Sequence, residues 1–384
     1  MRRAVLLGVP ETKRTVYMKK AAEREGVPLS VLDWDNWRDH LPEGELFLKI
    51  DPPRWDTGSL GDLERLTGFY ERELGELSGL AEKRQAEYLN MPSAIAWLLH
   101  KRRCKERLME AGLPVTEFLI NDPEPPAEGA PGSVSGKGRI SGRIRGMGRS
   151  GEPEAPAETA SERGGTGGRI RNTEQLLEEM LRRRICQVFI KPVCGSGAAG
   201  VSAFRVQPGT GRMKLYTCAA DMSGSGLVNT KRLRVYTEGE EIRRFLDQLL
   251  LMDCVVERWY AKDMCGIYSY DLRAVVQGGR MDRLVARLSR GPITNLQLNN
   301  HPLSEEEVGI TSGQREMLEE LCRKAAACFP GLWSVGLDIL LEKGSRRPRI
   351  LEMNAQGDLI YQDIYEENGI YRHQARRIKE WLSI

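Results

Sequence analysis

The chain opens with short apolar runs on either side of an amphipathic stretch. Residues 4–9 form the first apolar run, residues 29–32 the second and residues 46–50 a third. The stretch after the first run has the spacing of a helix that reaches about Glu25 and is closed by Gly26. This alternation predicts a strand, a helix and further strands, which is typical of a parallel α/β domain.

Polar residues follow the third of these predicted strands. Asp51 and Arg54 lie at its carboxyl end, the edge of a parallel sheet where ligands favour binding. Contact with a substrate and a simple capping turn are both open for this pair. The region has no GxGxxG fingerprint, so the sequence gives no support for a dinucleotide site here.

Residues 334–359 have the pattern of a β-hairpin whose apolar arms are interrupted by charge. The polar turn between the arms, residues 343–348, contains Gly and Pro. Asp338 lies on the first arm, and Glu352 and Asn354 lie two apart on the second, so the latter two point the same way. In simple register Asp338 faces them, and this oxygen set suits Mg²⁺. An edge hairpin with acids facing solvent is the alternative, which the surrounding Leu, Ile and Val residues disfavour.

A long polar segment, residues 122–172, lies between the N-terminal α/β pattern and the acidic hairpin. It contains 12 Gly and 6 Pro and almost no large apolar side chains. Such a segment cannot bury enough apolar surface to offset its ordering entropy, so we expect a disordered insertion. A lid over a site and a tether for a partner are the alternatives.

Composition and charge narrow the class of protein. The 384 residues suffice for two or three domains, and a net charge of +3 is too mild to indicate nucleic-acid binding. The eight Cys lack CxxC or Cys/His spacing, which argues against zinc and disulfides and for a reducing cytosol. No apolar stretch reaches membrane-spanning length, and the first is too short for a signal peptide. We therefore expect a cytoplasmic protein that binds neither nucleic acid nor a membrane.

A lysine and a glycine-rich loop follow the strand pattern of residues 187–192. Lys191 lies near the end of that strand, and Gly195, Ser196 and Gly197 come within six positions. Glycines let backbone N–H groups approach phosphate oxygens, while an ammonium group neutralises their charge. The loop is not a Walker A motif, because it lacks GK[ST] and the lysine precedes the glycines. A glycine-rich turn between strands is common, so the loop becomes informative only together with the acidic hairpin.

These motifs, in this order, resemble those of the ATP-grasp superfamily over residues 95–357, apart from the insertion. Lys101 is similar to the first phosphate-binding lysine of the family, with Lys105 as the alternative. Lys191 is similar to the second, and the loop of Gly195, Ser196 and Gly197 resembles the flexible loop over the phosphates. The strand that carries Glu257 and Tyr260 resembles the hinge that binds adenine, and Asp263 is the candidate for the ribose.

The next segments resemble the RimK-like branch of that superfamily. Asp271 and Arg273 form its DxR element, whose arginine helps to bind the transferring phosphoryl group. Arg287 is similar to a second arginine of the branch, and Asn295 to an asparagine in the following loop. The three residues of the acidic hairpin match the metal ligands of the family. Surface salt bridging is the alternative for both arginines, but their apolar neighbours favour a buried anionic partner.

The resemblance implies an α/β ATP-grasp fold with an N-terminal parallel-sheet domain. We place this domain at residues 1–92 and the two ATP-grasp subdomains at residues 93–253 and 254–384. The implied cofactors are ATP and Mg²⁺, with Mn²⁺ as an alternative metal. The implied activity is that of an ADP-forming carboxylate–amine ligase that works through an acyl phosphate, with Arg287 and Asn295 stabilising the tetrahedral intermediate.

The substrates implied are a carboxylate and an amine, either small molecules or a peptide or protein tail. Gln356, Tyr361 and Gln362 follow the metal ligands directly and are expected on the acceptor side. A homo-oligomeric state is left open. An ATP-grasp kinase of a small polyol and an inactive nucleotide-binding module are alternatives, and the complete set of lysines, arginines and metal ligands argues against the second.

Overall fold

The computed structural model describes residues 1–54, 58–119, 169–195, 197–222, 226–294 and 301–383. Ser196, Asn295 and most of the predicted insertion lie outside these ranges. Residues 1–119 and 170–384 form one compact unit. In the described ranges, every helix is too short or too polar to cross a lipid bilayer.

The first sheet is parallel and has the strand order β2-β1-β3-β4. Its strands are β1 Arg2–Leu7, β2 Leu29–Leu32, β3 Glu45–Ile50 and β4 Ala86–Tyr88. The helices of this region are α1 Lys13–Glu25, α2 Trp37–His40 and α3 Leu63–Arg84. Thr12 caps the start of α1, and Gly26 ends it at a φ of 69°, a left-handed conformation that glycine adopts at little cost. The predicted β-α-β opening is confirmed.

Two short helices and an extended segment connect the first sheet to the rest of the molecule. Helices α4 Pro92–Leu99 and α5 Lys101–Glu110 replace the single helix that the sequence predicts over residues 95–111, because the chain turns at His100. The apolar pattern of residues 113–120 predicts a strand, which is wrong for the described part, residues 113–119. This part forms one isolated bridge from Val115 to Ile350 and another from Phe118 to Glu257, so it links two different sheets.

The second sheet is antiparallel and has the strand order β8-β7-β6-β5-β9. Its strands are β5 Gln187–Pro192, β6 Ser202–Val206, β7 Met213–Met222, β8 Gly226–Tyr236 and β9 Cys254–Arg258. Helices α6 Thr173–Arg182 and α7 Gly239–Leu251 belong to this part of the chain. Strand β9 pairs with β5, so it lies in the second sheet, although the proposed subdomain boundary at residue 254 groups it with the third.

The third sheet is antiparallel with the order β13-β12-β11-β14-β15, and β10 pairs with β11 off this path. Its strands are β10 Met264–Cys265, β11 Tyr268–Gln277, β12 Arg280–Ser289, β13 His301–Leu303, β14 Ser334–Leu341 and β15 Pro348–Asn354. Helices α8 Ser312–Ala327, α9 Tyr361–Tyr365 and α10 Gly369–Ser383 complete the described chain. The predicted hairpin is therefore confirmed as β14 and β15.

The C-terminal helix packs against the N-terminal sheet. Tyr371, Ile378 and Trp381 of α10 are buried against Leu6 of β1 and Met18 of α1, in one apolar cluster. Helix α10 thus shares an apolar cluster with the first sheet, a long-range contact that its position in the sequence did not indicate.

Candidate active site

A cavity of about 380 Å³ is lined by strands of the second and third sheets, by helices and by connecting loops, including the loop after β3. Its charged lining residues, as far as the structure describes them, are Arg14, Lys101, Lys191, Arg258, Lys262, Arg273, Arg287, Glu257, Asp271, Asp338 and Glu352. Seven of these side chains are basic and four are acidic, so the cavity has an excess of positive charge. It suits an anionic ligand.

Glu257, near the end of β9, binds two lysines, of which Lys191 lines the cavity with it. Its Oε2 accepts a hydrogen bond from Lys191 Nζ at 2.9 Å, and its Oε1 lies 2.5 Å from Lys105 Nζ. Thr116 Oγ1 also donates to this carboxylate, at 2.8 Å. Burial opposes the charge, but the two lysines outweigh it and lower the pKa of Glu257 to about 2. The side chain assigned to adenine is therefore engaged with the lysines.

The two candidate first lysines have different surroundings. Lys101 lines the cavity and donates from Nζ to the carbonyl oxygen of Gly195 at 2.7 Å. Lys105 is not among the residues that line this cavity, and burial lowers its pKa to about 8 despite the pull of Glu257. This arrangement favours Lys101 as the lysine that meets a ligand.

The loop after β5 adopts a left-handed backbone that favours glycine. Gly195 has a φ of 102° and Gly197 a φ of 66°. A Cβ on Gly195 would lie 3.0 Å from Leu63 Cδ2. Both glycines line the cavity, as predicted for a phosphate loop, whereas Ser196 lies outside the described residues.

The acidic hairpin has the register that places its oxygens together. Asp338 is directly opposite Glu352, and Gly336 is opposite Asn354. Beyond Asp338 the pairing jumps to Ile350, so β15 bulges at this point. Asp338, Glu352 and Asn354 all line the cavity, and Asn354 Nδ2 donates to Glu352 Oε1 at 3.1 Å.

The metal assignment rests on an amide as well as on carboxylates. The described residues contain no group of three or more His, Cys, Asp and Glu side chains that could hold a metal ion. Two carboxylates and an amide oxygen nevertheless fit the hard ligands that Mg²⁺ takes together with water and phosphate oxygens. The assignment of Asp338, Glu352 and Asn354 stays a prediction.

Two arginines hold the Asp338 carboxylate, one from the adjacent strand β11 and one from β12, the strand beyond it. Arg273, opposite Asp338 on β11, lies 2.5 Å from Oδ1 through Nε and 3.1 Å from Oδ2 through Nη2. Arg287 Nη2 lies 3.1 Å from the same Oδ2, and its Nε donates to Asp271 Oδ1 at 2.7 Å. Both arginines therefore have the buried anionic partner that their apolar neighbours indicated.

Asp271 is surrounded by donors that the sequence did not identify. Lys262 Nζ lies 3.4 Å from Asp271 Oδ2, and the Thr294 hydroxyl donates to the same oxygen. Burial works against the charged form of Asp271, but Arg287 and Lys262 outweigh it and lower its pKa. Lys262 and Thr294 both line the cavity. No local signal marks such a lysine, because its burial depends on the packing of separate strands.

Of the residues predicted to contact the nucleoside, Tyr260 lines the cavity and Asp263 does not. Tyr260 lines the cavity, and the Arg349 guanidinium lies 4.1 Å from the centre of its ring. Asp263 is not among the described lining residues. Its carboxylate accepts a hydrogen bond from the Tyr270 hydroxyl at 2.8 Å and lies 3.0 Å from Arg346 Nε. The ribose role of Asp263 therefore has no geometric support.

The two polar residues predicted at the edge of the first sheet, Asp51 and Arg54, are not among the described residues that line the cavity. Gln356 and Tyr361 line the cavity as predicted, whereas Gln362 does not belong to its described lining. Arg54 pairs with an exposed glutamate, and Asp51 is buried against a lysine. Two residues missed by the sequence reasoning replace them in the lining, Arg14 and Tyr70. Arg14 could have been found, since it lies in the first turn of the helix after β1, at the ligand-binding edge of a parallel sheet.

Comparison with known proteins identifies the fold. Neither a family model nor a curated protein sequence matches the chain. A structure of the ATP-grasp ligase PsnB complexed with a minimal precursor matches with a TM-score of 0.54 at 14% identity, covering 99% of each chain. PsnB with the minimal precursor, Mg and ADP gives a TM-score of 0.52 at 14% identity over 98% of each chain.

A macrocyclase has the same architecture. MdnC from Microcystis aeruginosa MRC, bound with the precursor peptide MdnA, matches with a TM-score of 0.53 at 11% identity, over 99% of this chain and 100% of that chain. The chain therefore has the ATP-grasp fold, and the predicted fold class is confirmed. The RimK-like branch stays a prediction.

Proposed function

We propose that this protein is an ATP-dependent ligase that activates a carboxylate as an acyl phosphate and joins it to an amine. One observation carries the proposal: a single cavity in an ATP-grasp fold brings together seven basic side chains and the acidic hairpin. The positive excess suits a ligand with several phosphates, and the hairpin suits the divalent cation that accompanies them. The likeness to PsnB and MdnC supports a ligase over other nucleotide-binding proteins.

Each part of the cavity has a separate task in this reaction. Lys101 and Lys191 would bind phosphate oxygens under the glycine loop. Asp338, Glu352 and Asn354 would hold Mg²⁺, which neutralises phosphate charge when it is bound. The Mg and ADP in one PsnB structure support this pairing of nucleotide and metal.

The chemistry requires positioning and charge neutralisation rather than a protein nucleophile. A substrate carboxylate oxygen attacks the γ-phosphorus of ATP, and ADP leaves. The amine then attacks the carbonyl carbon of the acyl phosphate, loses a proton, and displaces phosphate. Arg273 and Arg287 lie beside Asp338, so they are placed to stabilise the negative charge that develops in both steps. Asn295 keeps its proposed role in the second step.

A peptide is the substrate class we favour. The PsnB and MdnC structures contain precursor peptides, and both proteins share the fold of this chain. Gln356, Tyr361 and Arg14 line the end of the cavity next to the N-terminal sheet and are proposed to contact the acceptor.

The first test is the thermal stability of the full chain with AMP-PNP and Mg²⁺ varied separately. A ligand that binds only the folded state raises the unfolding midpoint by mass action. We expect a rise that needs both ligands and is lost in Glu352→Ala and Asp338→Asn. Glu316→Ala, an exposed helix position, is the matched control and should keep the full rise. A wild-type chain without any nucleotide-dependent rise would overturn the proposal.

The second test separates a ligase from a kinase by its products. A ligase should release ADP and free phosphate only when a carboxylate and an amine are both present. A kinase would instead give ADP and a phosphorylated polyol without free phosphate. The assay uses a panel of peptides with acidic and amine side chains, followed by mass measurement of the product.

A further inference from the structure

Lys262 is a buried cation on the cavity wall that the predicted site does not include. Its side chain is 7% exposed, although lysine is among the residues that proteins bury least. It follows β9 and lies just before β10, between the predicted adenine strand and the strand that carries Arg273. A lysine in this position needs a reason for the cost of its burial.

The contacts of Lys262 leave one N–H for a ligand. Its Nζ donates to Thr294 Oγ1 at 2.6 Å and lies 3.4 Å from Asp271 Oδ2. An ammonium group has three protons, and the third has no partner among the residues that the structure describes. Because Lys262 also lines the cavity, that proton is available to a bound molecule.

Neutralising the charge of Asp271 does not by itself explain why Lys262 is buried here. Arg287 already binds Asp271 Oδ1 at 2.7 Å, so the carboxylate has a cation without Lys262. Arg287 also reaches Asp338, which Arg273 binds from the other side. This linked set contains three cations and two carboxylates, and its excess positive charge calls for a bound anion.

The same chain of contacts indicates which anion. Asp271 and Arg287 connect Lys262 to Asp338, the proposed metal ligand, where the phosphoryl group is transferred. We propose that Lys262 is a third phosphate-contacting lysine, one that donates to the transferring γ-phosphoryl group rather than to the phosphates that remain on ADP. This inference rests on the proposed function, because it takes ATP as the ligand.

The test compares nucleotides with and without the γ-phosphoryl group. Dissociation constants for AMP-PNP and ADP, each with Mg²⁺, are measured by calorimetry on the full chain. Lys262→Met should weaken AMP-PNP binding about tenfold or more, the usual effect of losing a hydrogen bond to a charged group, and ADP binding less than about threefold. Lys343→Met, an exposed lysine in the hairpin turn, is the control and should change neither constant.

The outcomes separate this inference from the proposed function. Equal weakening of both nucleotides, or no change in either, would assign Lys262 a structural role and overturn the inference, whereas nucleotide binding by the wild type would still support the proposed function. Lys262→Arg keeps the charge and should restore most of the preference for AMP-PNP. Lys262→Gln is measured in the same way if the Met variant does not fold. A wild-type chain that binds neither nucleotide would overturn the proposed function, and the inference with it.

Discussion

Replacing Glu257 by glutamine tests whether the buried lysine pair depends on one carboxylate. Lys105 and Lys191 lie 2.5 and 2.9 Å from its two oxygens, and the Glu257 side chain is only 3% exposed. Removing one partner of a buried ion pair costs about 3–5 kcal/mol, because the other charge is left without compensation. Glutamine can still accept from Thr116, and Lys191 borders the cavity, so we expect a loss near the lower limit, about 3 kcal/mol.

The assay is the free energy of unfolding in urea at pH 7, for the wild type and the variant. Glu305→Gln is the control, since Glu305 forms a comparably short pair with Arg315 that is partly exposed and should cost less than about 1 kcal/mol. Equal losses in the two variants would refute the reasoning.

The pH dependence gives a second readout of the same carboxylate. The folded pKa of Glu257 is about 2, below its ordinary value of 4.5, so its stabilisation is complete above about pH 4.5 and is lost as the pH falls towards 2. The difference between the wild type and Glu257→Gln should therefore narrow as the pH falls below about 4.5. A difference that does not change down to pH 3 would contradict the assigned ion pair.

Two further predictions concern the backbone of the site and the predicted insertion. A Cβ on Gly336 would lie 2.5 Å from Gly357 Cα, so Gly336→Ala should lower the free energy of unfolding in urea by about 3 kcal/mol. Gly313, which has open space around it, is the control, and Gly313→Ala should change that free energy by less than about 1 kcal/mol. Deleting residues 125–165, which stops short of the buried Ile170, should leave the AMP-PNP dissociation constant within about threefold, and a larger loss would favour the lid interpretation.

The elements closest to the metal end of the site could be predicted because their signals are local. Asp338, Glu352 and Asn354 interrupt apolar strand patterns, and the two-residue period of a strand determines which of them share a face. The glycine loop and Lys191 are likewise within a few residues of each other. In such cases the sequence contains both the element and its register.

The contacts of these side chains could not be predicted, because they depend on pairing between distant segments. The hinge motif predicts an adenine contact for Glu257, yet its carboxylate binds Lys105 and Lys191. The resemblance predicts a ribose contact for Asp263, but its partners come from β11 and the hairpin turn. The sequence pattern does not indicate that Lys262 is buried, because a lysine in a loop is usually exposed.

The third sheet explains why this cavity must bind something polar. Leu272 and Ala274 on β11, with Leu337 and Ile339 on β14, point into the apolar core. The alternate positions on the same strands carry Asp271, Arg273 and Asp338, which line the cavity. If these positions faced a second apolar core, charged side chains would be excluded from them, since an unpaired buried charge is costly.

The chain instead places oppositely charged side chains opposite each other across adjacent strands, Asp271 with Arg287 and Arg273 with Asp338. Pairing across the ladder lets the sheet hold these charges in place before a ligand binds. The described lining residues still include three more basic than acidic side chains. An anionic ligand can therefore enter a site whose charges are already oriented, which is the condition for stabilising charge that develops during a phosphoryl transfer.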